Sequence, residues 1–147
     1  MRKPLTVAAL ALASALAAAP ALCDSTRAGD FTVHANAFSS ESLSPEIARR
    51  IGLTRAGNRA VLNVSVVKEQ AGTLGVSSTA LVEARIVKPE GMQGRIPMRE
   101  IRDGNAVAYL GEFPLENPAT VDFEIQVRPA GASEIPTIRL SQELFAE

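Results

Sequence analysis

The 147-residue chain has no Trp, one Tyr, five Phe, one His and one Cys. Each scarcity excludes something. Six aromatics are few for a surface that stacks nucleobases or sugar rings. A lone Cys closes no intrachain disulfide, so no disulfide framework staples the fold. Zinc would need three or four N or S ligands, more than one His and one Cys supply. No Gly-x-Ser-x-Gly turn presents a nucleophilic serine. Glycine-rich phosphate loops and calcium loops are absent too. With 15 basic and 16 acidic residues, the net charge of −1 makes no field that would hold nucleic acid. No cofactor is expected.

What the chain does have begins at its N-terminus. Met1-Arg2-Lys3 is positive, Leu5 to Ala19 is uncharged and rich in Ala and Leu, and Pro20 stops any helix. Small residues follow, and Asp24 opens a polar segment. That is the three-part pattern of a secretory signal peptide, read here as residues 1–23. The apolar run falls short of the roughly 20 residues that span a bilayer, so no transmembrane anchor is expected once the signal is removed. Ala21-Leu22-Cys23 favours a cut before Asp24, and Ala19-Pro20-Ala21 allows one before Leu22. Lipidation at Cys23 is the minor alternative, because Pro20 and Leu22 occupy places that bacterial lipoproteins give to Leu and a small residue. The expected compartment is the periplasm. Without Arg2 and Lys3, the remaining chain has 13 basic against 16 acidic residues, a net charge of −3.

Beyond Asp24, residues 24–30 read as a flexible leader and 31–147 as one domain. Apolar residues then recur at period two, the mark of half-buried strands. Val121, Phe123, Ile125 and Val127 alternate with Asp122, Glu124, Gln126 and Arg128. Phe31-Val33-Ala35-Ala37, Leu62-Val64-Val66 and Ile138-Leu140-Leu144 mark others, with Gln142 out of pattern in the last. Residues 79–87 and 106–113 add two strands. Residues 95–102 are expected to form an edge or bulged strand, since Pro97 has no N–H for a ladder. Asp103-Gly104 predicts a hairpin from there into residues 106–113. One short helix is expected between the first two strands: Ser44 as N-cap, Pro45 in the first turn, Gly52 as the closing residue. About seven strands and one helix indicate an all-β, immunoglobulin-like β-sandwich, with a small barrel as the alternative.

Three stretches together carry a resemblance. They are His34-Ala35-Asn36-Ala37-Phe38 leading through Leu43-Ser44-Pro45-Glu46-Ile47-Ala48 to Leu62-Asn63-Val64-Ser65-Val66; Arg99-Glu100-Ile101-Arg102-Asp103 with Tyr109 and Gly111-Glu112-Phe113-Pro114; and Phe123 to Gly131. The chain resembles the bacterial exported proteins grouped as domain-of-unknown-function family 4426 over roughly residues 31–145. The resemblance implies a small exported single-domain protein of a Gram-negative bacterium and implies no activity.

Several residues are candidates for function. His34 shares a strand face with Asn36, and the pair is the candidate polar site for acid–base work or ligand contact near neutral pH. The plainer reading is a hydrogen-bonded strand residue packed against a loop. Arg49, Arg50, Arg55, Arg59 and Lys68 are five cations with no acid between Glu46 and Glu69. They form a candidate contact surface for an anionic partner, or else a solvated helix end. Arg102 and Glu112 flank a dense charged hairpin, a second candidate contact that cross-strand ion pairs explain as well. Asp122 and Glu124 read as a solvated polar face, and the sequon Asn63-Val64-Ser65 falls inside a strand.

The leading expectation is a non-catalytic periplasmic binding or assembly module whose partner is another envelope protein or an anionic envelope component. The alternatives are a small-ligand carrier or enzyme centred on His34 and Asn36, and a periplasmic chaperone.

Overall fold

A computed structural model describes residues 24–88, 91, 93–116 and 119–145. The signal peptide expected at residues 1–23, Cys23 included, lies outside the described residues. Ten strands are described: β1 (Asp24–Ala28), β2 (Phe31–Ser39), β3 (Arg59–Lys68), β4 (Val76–Ser77), β5 (Ala80–Val87), β6 (Gln93–Ile96), β7 (Arg99–Asp103), β8 (Ala106–Pro114), β9 (Ala119–Pro129) and β10 (Thr137–Leu144). They form two antiparallel sheets, in the orders β1-β2-β3-β8-β7 and β10-β9-β5-β6, with β4 also pairing β3. The all-β sandwich expected from periodicity is therefore the fold.

The core follows from alternation. On β9, Val121, Phe123, Ile125 and Val127 are buried. On the facing sheet, so are Val33, Ala35 and Ala37 of β2 and Leu62, Val64 and Val66 of β3. Each fully buried branched or aromatic side chain contributes roughly 1.5–3 kcal/mol. Phe113 of β8 and Phe123 of β9 meet edge-to-face across the sheets, centroids 5.3 Å apart at 71°.

Three departures from the expected seven strands have physical causes. Residues 24–28 are no leader. They form β1, paired with β2 from Asp24–Ala35 to Ala28–Phe31. The sequence Asp-Ser-Thr-Arg-Ala hides this edge strand, because backbone pairing rather than apolar alternation builds it. Gly29, at φ 59°, makes the turn possible. The second departure is β4, two residues that continue the β3 edge where β8 leaves it. The third lies in residues 95–102, expected as one strand. They belong to two, because the chain leaves one sheet at Ile96 and enters the other at Arg99, with Pro97 and Met98 between. The slipped apolar phase there is a change of sheet.

The hairpin through Asp103-Gly104 is present, with Asp103 opposite Ala106 and Gly104 at φ 59°. Helix α1 (Pro45–Ile51) also forms as expected. Ser44 accepts from the Ile47 N–H at 3.3 Å, and Gly52 closes the helix at φ 70°. A short 3-10 turn, Ser40–Ser42, precedes it.

The segment between β2 and β3 folds over the outer face of its own sheet. There Leu53 joins Val61 and Leu110 in a second small core, with Phe38, Leu43, Ile51 and Ile101 packed around it. This outer core holds α1 against the sheet.

Candidate functional site

The outer face of the first sheet carries most of the candidate residues. At one end lies α1. Arg49 and Arg50 occupy its last turn, both exposed. Their charges complement the negative end of the helix dipole. Arg50 pairs with Glu46 at 3.7 Å, one turn away. Arg55, in the loop after the helix, donates to the Glu41 carbonyl at 3.0 Å. Arg99 of β7 donates to the Gly52 carbonyl at 3.0 Å. Carbonyl partners satisfy these donors without neutralising their charge. Among the described residues, no carboxylate pairs with Arg49, Arg55 or Arg99.

Arg59 and Glu112 sit diagonally across the β3–β8 ladder on this face and pair at 3.5 Å. Glu112 also accepts from the Thr54 N–H at 3.3 Å. Glu112 thus ties the loop after α1 to the sheet, and the cation beside it is Arg59, not Arg102. Arg102 instead pairs with Glu100 on its own strand at 2.7 Å. Lys68 stands apart from the arginines at the far end of β3, 5.8 Å over the Phe31 ring. The structure therefore places Arg49 and Arg50 on the last turn of α1, Arg55 and Arg59 on the segment and strand that follow, adds Arg99 on the Gly52 carbonyl, and leaves Arg102 and Lys68 elsewhere. Nothing in the sequence marked Arg99 directly as a member of this group. Its signal was indirect: Gly52 leaves helix carbonyls without intrahelical partners.

His34 and Asn36 lie on the open part of the same face, both half-buried. Asn36 accepts from the Asn63 side-chain amide at 3.0 Å across the ladder. His34 is flanked in register by Ser25 of β1 and Ser65 of β3. That is a flat polar strip. A shallow cleft of about 420 Å³ lies on the other sheet, lined by Leu81, Glu83, Arg95, Gln126, Arg128 and Ile135 among others. Asp122 and Glu124 line that sheet's outer face, where Glu124 pairs with Arg139 at 3.7 Å. Among the described residues, no three His, Cys, Asp or Glu side chains group closely enough to hold a metal ion. None of the described helices is long and apolar enough to cross a membrane.

Two residues mattered more than the sequence indicated. Gln142, out of pattern on β10, reaches the opposite sheet. Its Oε1 accepts from the Ala37 N–H at 2.8 Å, and its Nε2 donates to the Ala37 carbonyl. Among the described residues the β1 ladder runs as far as Ala35, and Gln142 bonds the backbone of Ala37 farther along that edge. Tyr109, inward on β8, accepts from the Ala80 N–H at 2.8 Å. Ser77 beside it accepts from the Val107 N–H at 2.8 Å. Together they pin the point where the chain crosses from β4 to β5.

Comparison with known proteins bears on the family and the fold. A family model described as "Domain of unknown function (DUF4426)" matches residues 25–147. A solved DUF4426 family protein from Pseudomonas aeruginosa PAO1 is 27% identical with a TM-score of 0.71, covering 86% of this chain and 97% of that one. FetP of uropathogenic E. coli strain F11, recombinantly expressed in the periplasm, is 11% identical with a TM-score of 0.60, covering 86% and 95%. At that identity the likeness is one of fold. No curated protein matches.

Proposed function

This chain belongs to the DUF4426 family, whose description assigns no activity, and we propose that it is an exported, non-catalytic binding module that meets an anionic envelope component through the arginine face beside α1. The supporting observation is that Arg49 on the last turn of α1, Arg99 on the Gly52 carbonyl that closes it and Arg55 on the Glu41 carbonyl that precedes it have no carboxylate partner among the described residues. A solvated helix end needs only one or two such cations. Here the helix, the following loop and β7 each bring a cation to the α1 segment, from Glu41 before it to Gly52 after it. An exposed cluster attracts anions over about a Debye length, roughly 10 Å at 0.1 M salt, so binding should weaken as salt rises. Export is supported by the charged start, apolar run and small residues of Met1 to Cys23.

The test is co-sedimentation of the protein with phosphatidylglycerol-containing vesicles and with uncharged ones. Wild type should bind the anionic vesicles alone, and Arg49→Glu with Arg50→Glu should abolish binding at unchanged circular dichroism. Failure of wild type to bind, or indifference to the double reversal, would overturn the proposal.

A further inference from the structure

Strand β7 ends its sheet, so among the described residues one of its edges has no neighbouring strand. Edge strands are commonly protected against pairing by charge. The order of charges on β7 does the opposite. The strand reads Arg99-Glu100-Ile101-Arg102-Asp103. Laid antiparallel on a second copy about a two-fold axis at Ile101, Arg99 falls opposite Asp103 and Glu100 opposite Arg102. Ile101 falls opposite itself. Every charge on the strand then meets its opposite, and of the arginine face only Arg99 gains a carboxylate, while Arg49 and Arg55 keep none among the described residues.

We propose that a second copy of this chain docks on the free edge of β7 in this register, joining two sheets into one. An isologous contact of this kind uses the same patch on both subunits. The charges also select the register. Two-fold pairing of antiparallel strands permits slips of two residues, and each neighbouring slip sets like charges together: Glu100 against Glu100, or Arg102 against Arg102. The side chains are disposed for the contact. Arg102 and Glu100 keep 64% and 38% of their side-chain surface exposed and already lie 2.7 Å apart within one strand. Two copies would convert that pair into an alternating quartet. Ile101 packs on the outer core beside Leu110, which holds the strand flat to the sheet. Gly104 of the turn falls opposite Met98, so the ends of the pairing carry no bulky clash at that rung. Because the axis stands perpendicular to the sheet, both α1 helices would lie on the same side.

Sedimentation equilibrium on the protein lacking its signal segment tests this. Wild type should dimerise reversibly, Arg102→Glu and Glu100→Arg should each be monomeric, and the Glu100→Arg/Arg102→Glu double variant should dimerise again. The decisive arm mixes the two single variants. Positions 100 and 102 are then both acidic in one chain and both basic in the other, so two monomeric proteins should form a heterodimer. A wild type that stays monomeric up to roughly 1 mM, a dimer indifferent to Arg102→Glu, or a mixture that does not associate would overturn the proposal. Circular dichroism confirms that the single variants are folded. Vesicle binding by monomeric variants would separate this contact from the arginine face.

Discussion

The two open sides of the sandwich are closed by different means. On one side, β6 hands the chain directly to β7 through Pro97 and Met98, and a continuous backbone joins the sheets. Gly111 of β8 makes that crossing possible. A Cβ there would stand 2.5 Å from Ile96 Cγ2 and from Met98 Sδ, and 3.0 Å from the Pro97 carbonyl. On the other side, β10 lies against β2 with no chain crossing between them among the described residues, and the Gln142 side-chain amide spans the gap to Ala37. The first side depends on the absence of a side chain, the second on the presence of one. A covalent crossing tolerates the loss of any one contact but not added bulk. A side-chain stitch fails with one residue, since the backbone groups of Ala37 lose their partner.

Substitutions at three positions test this difference, in decreasing order of effect. Gly111→Val forces two methyl groups into the β6–β7 crossing and should cost about 3 kcal/mol or more, lowering the thermal midpoint sharply. A midpoint within error of wild type would mean that the crossing is slack and the comparison misplaced. Gln142→Ala should cost about 1–3 kcal/mol by leaving the Ala37 N–H and C=O unpaired. Its signature is local: amide exchange should speed up at Ala37 while that of the β6–β7 side is unchanged. Gln142→Leu should not recover the loss, which separates the hydrogen bonds from the packing. Tyr109→Phe keeps the ring in the core but removes the acceptor for the Ala80 N–H. It should cost about 0.5–1.5 kcal/mol and speed exchange at Ala80, with little effect on either open side. Uniform acceleration across the molecule would show that the chain crossing at β5 is not an independent unit.

The candidate residues divide along similar lines. Ser44, Pro45 and Gly52 bound α1 as their chemistry predicts, so the positions of Arg49 and Arg50 on its last turn were legible in the sequence. Which carboxylate each cation meets was not. Arg102 and Glu112 look like partners along the chain, yet the register places Val107 opposite Arg102 and Val61 opposite Glu112. Glu112 therefore serves Arg59 and the Thr54 N–H, and Arg102 turns to Glu100.

By itself the sequence determined what short-range chemistry and periodicity can specify. Alternation along residues 121–128 set one wall of the core, Asp103-Gly104 set a hairpin, and the residues from Ser44 to Gly52 set a helix. Those signals act over a few residues, where rotation about the backbone leaves little choice. Tertiary structure decided what depends on distant backbone. An edge strand at Asp24–Ala28 needs β2 to offer its unpaired groups, and it carries little apolar pattern of its own. The change of sheet at Pro97 reads locally as a phase slip, because only the second sheet shows where the chain goes. Gln142 looks misplaced on its strand until Ala37, 105 residues earlier, is beside it. A polar side chain turned inward has meaning only through its partner, and no local pattern names a partner that far away.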